Sequence, residues 1–197
     1  MKKFLFAILV LACASPLFAQ DTNLQFKTVV HPTAAINNSW FVTGWNITNF
    51  RQNATDNTNF MLGIGHKQKN WWLEVMVQRQ DDTKRVHHWL VDVRSSFAVT
   101  KKVNLYVEAA PFLDMKAVYN FVRLDVAVLP WLKLGVESEN VFKETRSMLG
   151  FGPCVGLGPI KLGSLKPSLV VAWQLRHNDP NFVRTYVILP LPFKFGK

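Results

Sequence analysis

Trp71-Trp72-Leu73-Glu74-Val75-Met76-Val77-Gln78-Arg79-Gln80 reads as two interleaved sets of side chains. Trp71, Leu73, Val75 and Val77 fall on one face, and Trp72, Glu74, Met76 and Gln78 fall on the other. A two-residue period marks an extended strand with unlike faces, because successive side chains of a strand point to opposite sides. The stretch is also long. Strands of soluble domains cluster near about 5–6 residues, whereas a tilted strand needs about 9–11 to cross a bilayer.

The same pattern recurs along the chain. Trp89, Val91, Val93, Phe97 and Val99 oppose Leu90, Asp92, Arg94 and Ser96; Val103, Leu105, Val107 and Ala109 oppose Asn104, Tyr106, Glu108 and Ala110. Comparable segments cover 121–128, 132–139, 149–157 and 169–176, with less regular ones near 39–50, 57–67 and 182–191. No stretch after residue 20 has helical periodicity. The pattern predicts an all-β chain of about ten strands, with eight or twelve also open, closed as an antiparallel up-and-down barrel. Tight connections (66–70, 100–102, 130–131, 159–166) alternate with mostly longer polar ones (51–58, 80–85, 142–146, 177–181). Short periplasmic turns and longer external loops follow from that reading, with both termini on the periplasmic side.

The less apolar face decides which way the strands point. It carries Glu74, Asp92, Arg94, Glu108, Arg123, Asp125, Lys133, Glu137 and Glu139, of both signs and near mid-strand, among small and aromatic residues such as Tyr106, Phe121, Gly135 and Gly152. A solvated outer wall would be richer in Lys, Thr and Ser. A narrow lumen filled by cross-strand ion pairs fits this mixture, since buried charges are tolerable only in pairs. The apolar face then meets lipid. Trp40, Trp71 and Trp131 lie beside the tight turns and Trp89 near the opposite end, the placement expected of membrane-interface aromatics.

Residues 1–19 differ from the rest. Lys2 and Lys3 precede an apolar run from Phe4 to Ala12, and Leu17-Phe18-Ala19 before Gln20 resembles a cleavage site, so 1–19 is expected to be a signal peptide and 20–197 a single barrel domain. Lipidation of Cys13, in Val10-Leu11-Ala12-Cys13, is the alternative processing route. Cys154 then has no intramolecular partner and reads as a small buried filler in a glycine-rich strand. Removing Lys2 and Lys3 lowers the formal charge from +10 to +8, with no basic stripe to suggest nucleic acid. Outer-membrane lipid, lipopolysaccharide in particular, is the more natural anionic partner.

With its signal segment, its amphipathic strands and Pro130-Trp131-Leu132-Lys133-Leu134-Gly135-Val136, the chain resembles small bacterial outer-membrane β-barrel proteins. That resemblance implies an outer-membrane location and names no substrate. Such families typically end on phenylalanine, whereas this chain ends Phe193-Lys194-Phe195-Gly196-Lys197. No phosphate loop, metal-ligand spacing or cofactor motif is present, so no cofactor is expected. The expected function is non-enzymatic: structural, surface-interacting or a narrow pore with a largely filled lumen. Two alternatives stand beside it. One is a hydrolase using an outer-rim cluster of His87, His88, His177, Asp81, Asp82 and Asp179. The other is a soluble periplasmic barrel holding an apolar ligand.

Overall fold

The computed structural model describes residues 23–52, 55–163, 165–177 and 179–193. The expected signal peptide, Cys13 and residues 194–197 lie outside them. Eleven strands follow one another along the described chain: β1 (Asn23–Ala35), β2 (Trp40–Arg51), β3 (Asn57–Lys67), β4 (Trp71–Asp82), β5 (His87–Ala98), β6 (Val103–Pro111), β7 (Ala117–Leu129), β8 (Leu132–Lys143), β9 (Leu149–Leu157), β10 (Ser168–His177) and β11 (Phe182–Phe193). Each strand pairs with its sequence neighbours, and β11 returns to β1, closing the barrel. Closure removes free sheet edges, the condition for burying backbone in a medium that cannot hydrogen-bond.

The count is eleven rather than ten, and the missing strand is β1. Leu24 and Phe26 alternate there with Gln25 and Lys27, but Pro32 interrupts the run. Pro32 has no N–H to donate, and the β1–β2 register skips from Val30↔Asn46 to Thr33↔Thr43 around it. Its ring instead packs toward Gly44, where an added Cβ would lie 3.4 Å from Pro32 Cγ.

An odd strand number changes the closure. Ten ladders are antiparallel, but β1 and β11 run parallel, from Asn23↔Phe182 to Ala34↔Phe193. The barrel is therefore not wholly up-and-down. Asn23 and Phe193 stand at opposite ends, which corrects the expectation that both chain ends share one side. Loop lengths also differ from expectation. Connections at one rim have four or five residues, while those at the other have two to four, except for the ten of residues 158–167. Leaving that one connection aside, the second rim has the shorter turns.

The faces are inside-out relative to a soluble barrel. Phe60, Leu62 and Ile64 of β3 and Val75 and Val77 of β4 are exposed on the outer wall. The buried side chains include Glu74, Asp92, Arg94, Glu137, Gln174 and Arg184, each no more than 1% exposed. Space for them comes from small residues. On Gly65 an added Cβ would lie 2.2 Å from the Phe41 ring, and on Gly152 it would lie 1.6 Å from the Trp173 carbonyl oxygen. Cys154, also buried, packs with Val170, Ala172 and Tyr186.

Candidate functional site: the lumen and its rims

Alternation turns every second residue inward, and five cations meet six carboxylates there: Lys27, Arg94, Arg123, Arg176 and Arg184 against Glu74, Asp92, Glu108, Asp125, Glu137 and Glu139. A buried charge left alone would cost several kcal/mol, so the pairing decides whether the barrel can form. Each carboxylate has partners.

Glu139 of β8 is the hub. It accepts a forked pair of bonds from Arg184 (2.9 and 2.9 Å), one from Arg176 (2.6 Å), one from Tyr119 (2.9 Å) and one from Lys27 (3.3 Å). Glu137, on the same strand, accepts from the Tyr186 hydroxyl at 3.0 Å and Gln174 Nε2 at 2.9 Å. A second cluster forms on β1–β6. Glu74 accepts from Thr43 (2.9 Å) and the Trp45 indole (2.7 Å), with His31 Nε2 3.1 Å away. The His31 ring stacks on Trp45 with centroids 3.8 Å apart, and the Arg94 guanidinium lies 4.5 Å from the Trp45 ring. Arg94 donates to Asp92 at 2.7 Å and Glu108 at 3.0 Å.

Arg123 joins the clusters. It donates to Asp125 (2.9 Å) and to the Tyr186 hydroxyl (2.5 Å), and its guanidinium lies 6.0 Å from the Tyr106 ring, whose hydroxyl donates to Glu108 at 3.2 Å. Bonds between β1 and β8 and between β7 and β11 cross the lumen rather than run along its wall. Around this bracing lies a cavity of about 630 Å³, lined by Gln25, Lys27, Asn59, Gln78, Tyr119 and Arg176 among others. Asn49 donates to Asn57 at 2.5 Å and Gln78 to Asn59 at 3.1 Å, making one wall of the cavity a patch of uncharged amides.

The residues singled out by alternation mostly meet in this network: Glu74, Asp92, Arg94, Glu108, Arg123, Asp125, Glu137 and Glu139 all do. Lys133 does not; it is exposed at the rim between β7 and β8. Lys27, Arg176, Arg184 and His31 were missed. Arg176 sits two residues after Gln174 on the inward face, a signal that was readable, whereas Lys27 and His31 lie on the unrecognised strand.

The histidine–aspartate cluster does not assemble into one site. His87 and His88 are consecutive in β5, so they leave the wall on opposite sides. His87 Nδ1 lies 2.6 Å from Asp81 Oδ1 on the outer side, where Arg79 Nε also donates to Asp81 at 2.8 Å. That Arg79 bond is the main cause holding the Asp81 carboxyl below its usual range, with the His87 contact adding to it. His88 instead turns to the cavity mouth, its Nδ1 2.8 Å from Asp114 Oδ2. Asp82 accepts from the backbone N–H groups of Lys84 and Val86 and so orders the turn. His177 ends β10 on the outer face, while Asp179 lines the cavity mouth. Among the described residues no group of three or more His, Cys, Asp or Glu is placed to hold a metal ion.

Of the expected interface aromatics, Trp40 and Trp71 form a row with His66, with ring centroids 4.7 and 5.4 Å apart. Trp89 is 47% exposed near the opposite rim, and Trp131 is half-buried at the β7–β8 turn. Trp72 turns inward, its ring 6.0 Å from that of Tyr106.

No protein-family model matches the chain, and no curated protein matches it. A solved structure does resemble it, a KdgM porin in complex with disordered oligogalacturonate. The TM-score is 0.57 and the identity 11%, over 81% of this chain and 94% of that one. At so low an identity the likeness is one of fold alone, a closed β-barrel.

Proposed function

We propose that the protein is an outer-membrane porin-like barrel whose lumen is braced, passing at most small solutes slowly, with no enzymatic role. The observation that carries this reading is the cross-lumen network centred on Glu139. Its bonds span from β8 to β1, β10 and β11 through the space that an open pore would leave to water. An exposed apolar outer wall and a charged interior support insertion in lipid, and the porin likeness of the fold is consistent with an outer-membrane address. A soluble barrel with an apolar ligand would need the reverse arrangement of faces. The histidine–aspartate pairs lie on two sides of the wall, so they supply no shared catalytic centre.

The lumen charges nearly cancel, so the bracing gives no strong preference for one sign of ion. Planar-bilayer recording of the purified, refolded protein tests the proposal. Wild type should give small or absent steps, and Glu139→Ala should give larger ones as the braces release. Large, long-lived steps from wild type would overturn it.

A further inference from the structure

The basicity of the described chain is unevenly placed. The lumen holds five cations and six carboxylates. The rim formed by connections 52–56, 83–86, 112–116, 144–148 and 178–181, with the adjoining strand ends, holds seven Lys or Arg and six Asp or Glu. The opposite rim holds Lys67 and Lys69, Lys101 and Lys102, Lys133, and Lys161 with Lys166, and among its described residues no Asp or Glu. All seven are exposed. The excess positive charge of the described chain therefore sits on one rim.

That rim adjoins the membrane belt. The Trp40–His66–Trp71 row lies on the outer wall next to the β3–β4 turn that carries Lys69, with Lys67 at the exposed inner end of β3, and above the row come the exposed Val42, Ile64 and Leu73. Trp rings take positions where hydrocarbon meets headgroup, which puts the neighbouring ammonium groups at the depth of lipid phosphates. Point-like ammonium charges on long stems suit phosphate without demanding a fixed geometry.

We infer that the seven-lysine rim is a binding surface for the phosphate headgroups of anionic phospholipid, and that it fixes which end of the barrel faces the phospholipid leaflet. Four of its five connections have only two to four residues, the kind of turn found on the periplasmic side of such barrels, which favours phospholipid over lipopolysaccharide as the source of phosphate. An anionic surface attracts each nearby Lys by about 1 kcal/mol, roughly fivefold in association, and salt screens the effect within a Debye length.

The inference rests on the membrane-barrel reading, and the experiment separates the two. The full barrel is reconstituted in phosphatidylcholine vesicles containing spin-labelled phosphatidylglycerol, phosphatidylcholine or lipid A, and the immobilised lipid fraction is measured. Absence of any immobilised component would sink the membrane reading itself. With that component present, wild type should prefer phosphatidylglycerol over phosphatidylcholine severalfold. The preference should fade in high salt and fall severalfold in the Lys67→Gln, Lys69→Gln, Lys101→Gln, Lys102→Gln variant, which leaves Lys133, Lys161 and Lys166. It should persist in Lys84→Gln, Arg85→Gln, Lys116→Gln, which changes the opposite rim. Equal preference in wild type and the four-lysine variant would overturn the inference. So would a larger preference for lipid A lowered by those same four substitutions, because that would place the rim in the other leaflet.

Discussion

Replacing Glu139 by Gln keeps the side chain's shape and deletes one charge from the centre of the lumen. Four side chains lose their carboxylate at once: Arg184, Arg176, Lys27 and Tyr119, at distances of 2.6 to 3.3 Å. Arg184 keeps a looser contact with Glu137 at 3.4 Å, but the Glu139 hub is the described ion-pair partner of Lys27 and Arg176. Breaking a buried pair by removing one member costs about 3–5 kcal/mol, since the survivor stays buried and uncompensated. Here three cations are left together, so Glu139→Gln should cost at least about 3 kcal/mol. The comparison is Glu144→Gln, whose pair with Lys116 is 65% and 80% exposed and should be worth less than about 1 kcal/mol. Equilibrium urea unfolding from vesicles, followed by tryptophan fluorescence, reads both. If Glu139→Gln costs no more than Glu144→Gln, the hub is not holding the barrel, and the lumen must be wet enough to solvate its charges.

Three further outcomes follow from the geometry. Val75→Arg places a charge on the exposed outer face of β4 and should lower insertion by about 2–4 kcal/mol, read as a smaller folded fraction in a heat-dependent gel shift; an unchanged fraction would argue against a lipid-facing wall. Gly152→Ala would put a methyl 1.6 Å from the Trp173 carbonyl oxygen and should prevent the barrel from closing, whereas at Gly156 the nearest atom is 3.5 Å away and Ala should be tolerated. At the outer rim the depressed Asp81 carboxyl adds stability that is present above its unfolded-state value and lost as pH falls through its lower folded value. Carboxyl-carbon titration should show Asp81 moving upward in Arg79→Gln, and an unmoved titration would refute the assignment of cause.

The barrel was legible because period-two alternation survives wherever one face is apolar and exposed and the other lines a polar interior. It faltered where both faces are apolar or where backbone chemistry interrupts it. β11 turns Phe182, Tyr186 and Ile188 inward while Val183 and Val187 point outward, so its faces look alike. β1 carries Pro32, which reads as a strand end until Gly44 is seen to accommodate it. The site was half-legible for the same reason. Inward charges on the clean strands β4 to β8 could be named, but the cations they bind lie largely on β1, β10 and β11. Partner choice depends on which strands face each other across a closed lumen, and that depends on strand number and register, neither of which alternation reveals. The histidine cluster failed differently. Adjacent His87 and His88 looked like one site by proximity in sequence, yet strand geometry sends neighbours to opposite faces.

The parallel closure and the Glu139 hub are mechanically coupled. A parallel ladder is slightly less stable per residue than an antiparallel one, and here it must join strands separated by nearly the whole chain. The seam between β1 and β11 is therefore where the barrel would be expected to open. Glu139 binds Lys27 from one side of that seam and Arg184 from the other, with Arg176 of the adjoining β10. A single carboxylate 112 residues from Lys27 thus ties both flanks of the seam to the opposite wall. The bracing that narrows the lumen also secures the closure, so a change that frees the channel at Glu139 must loosen the ring as well. That coupling accounts for the charges gathered around Glu139, whereas Arg94, Asp92 and Glu108 pair with one another on β5 and β6, away from the seam.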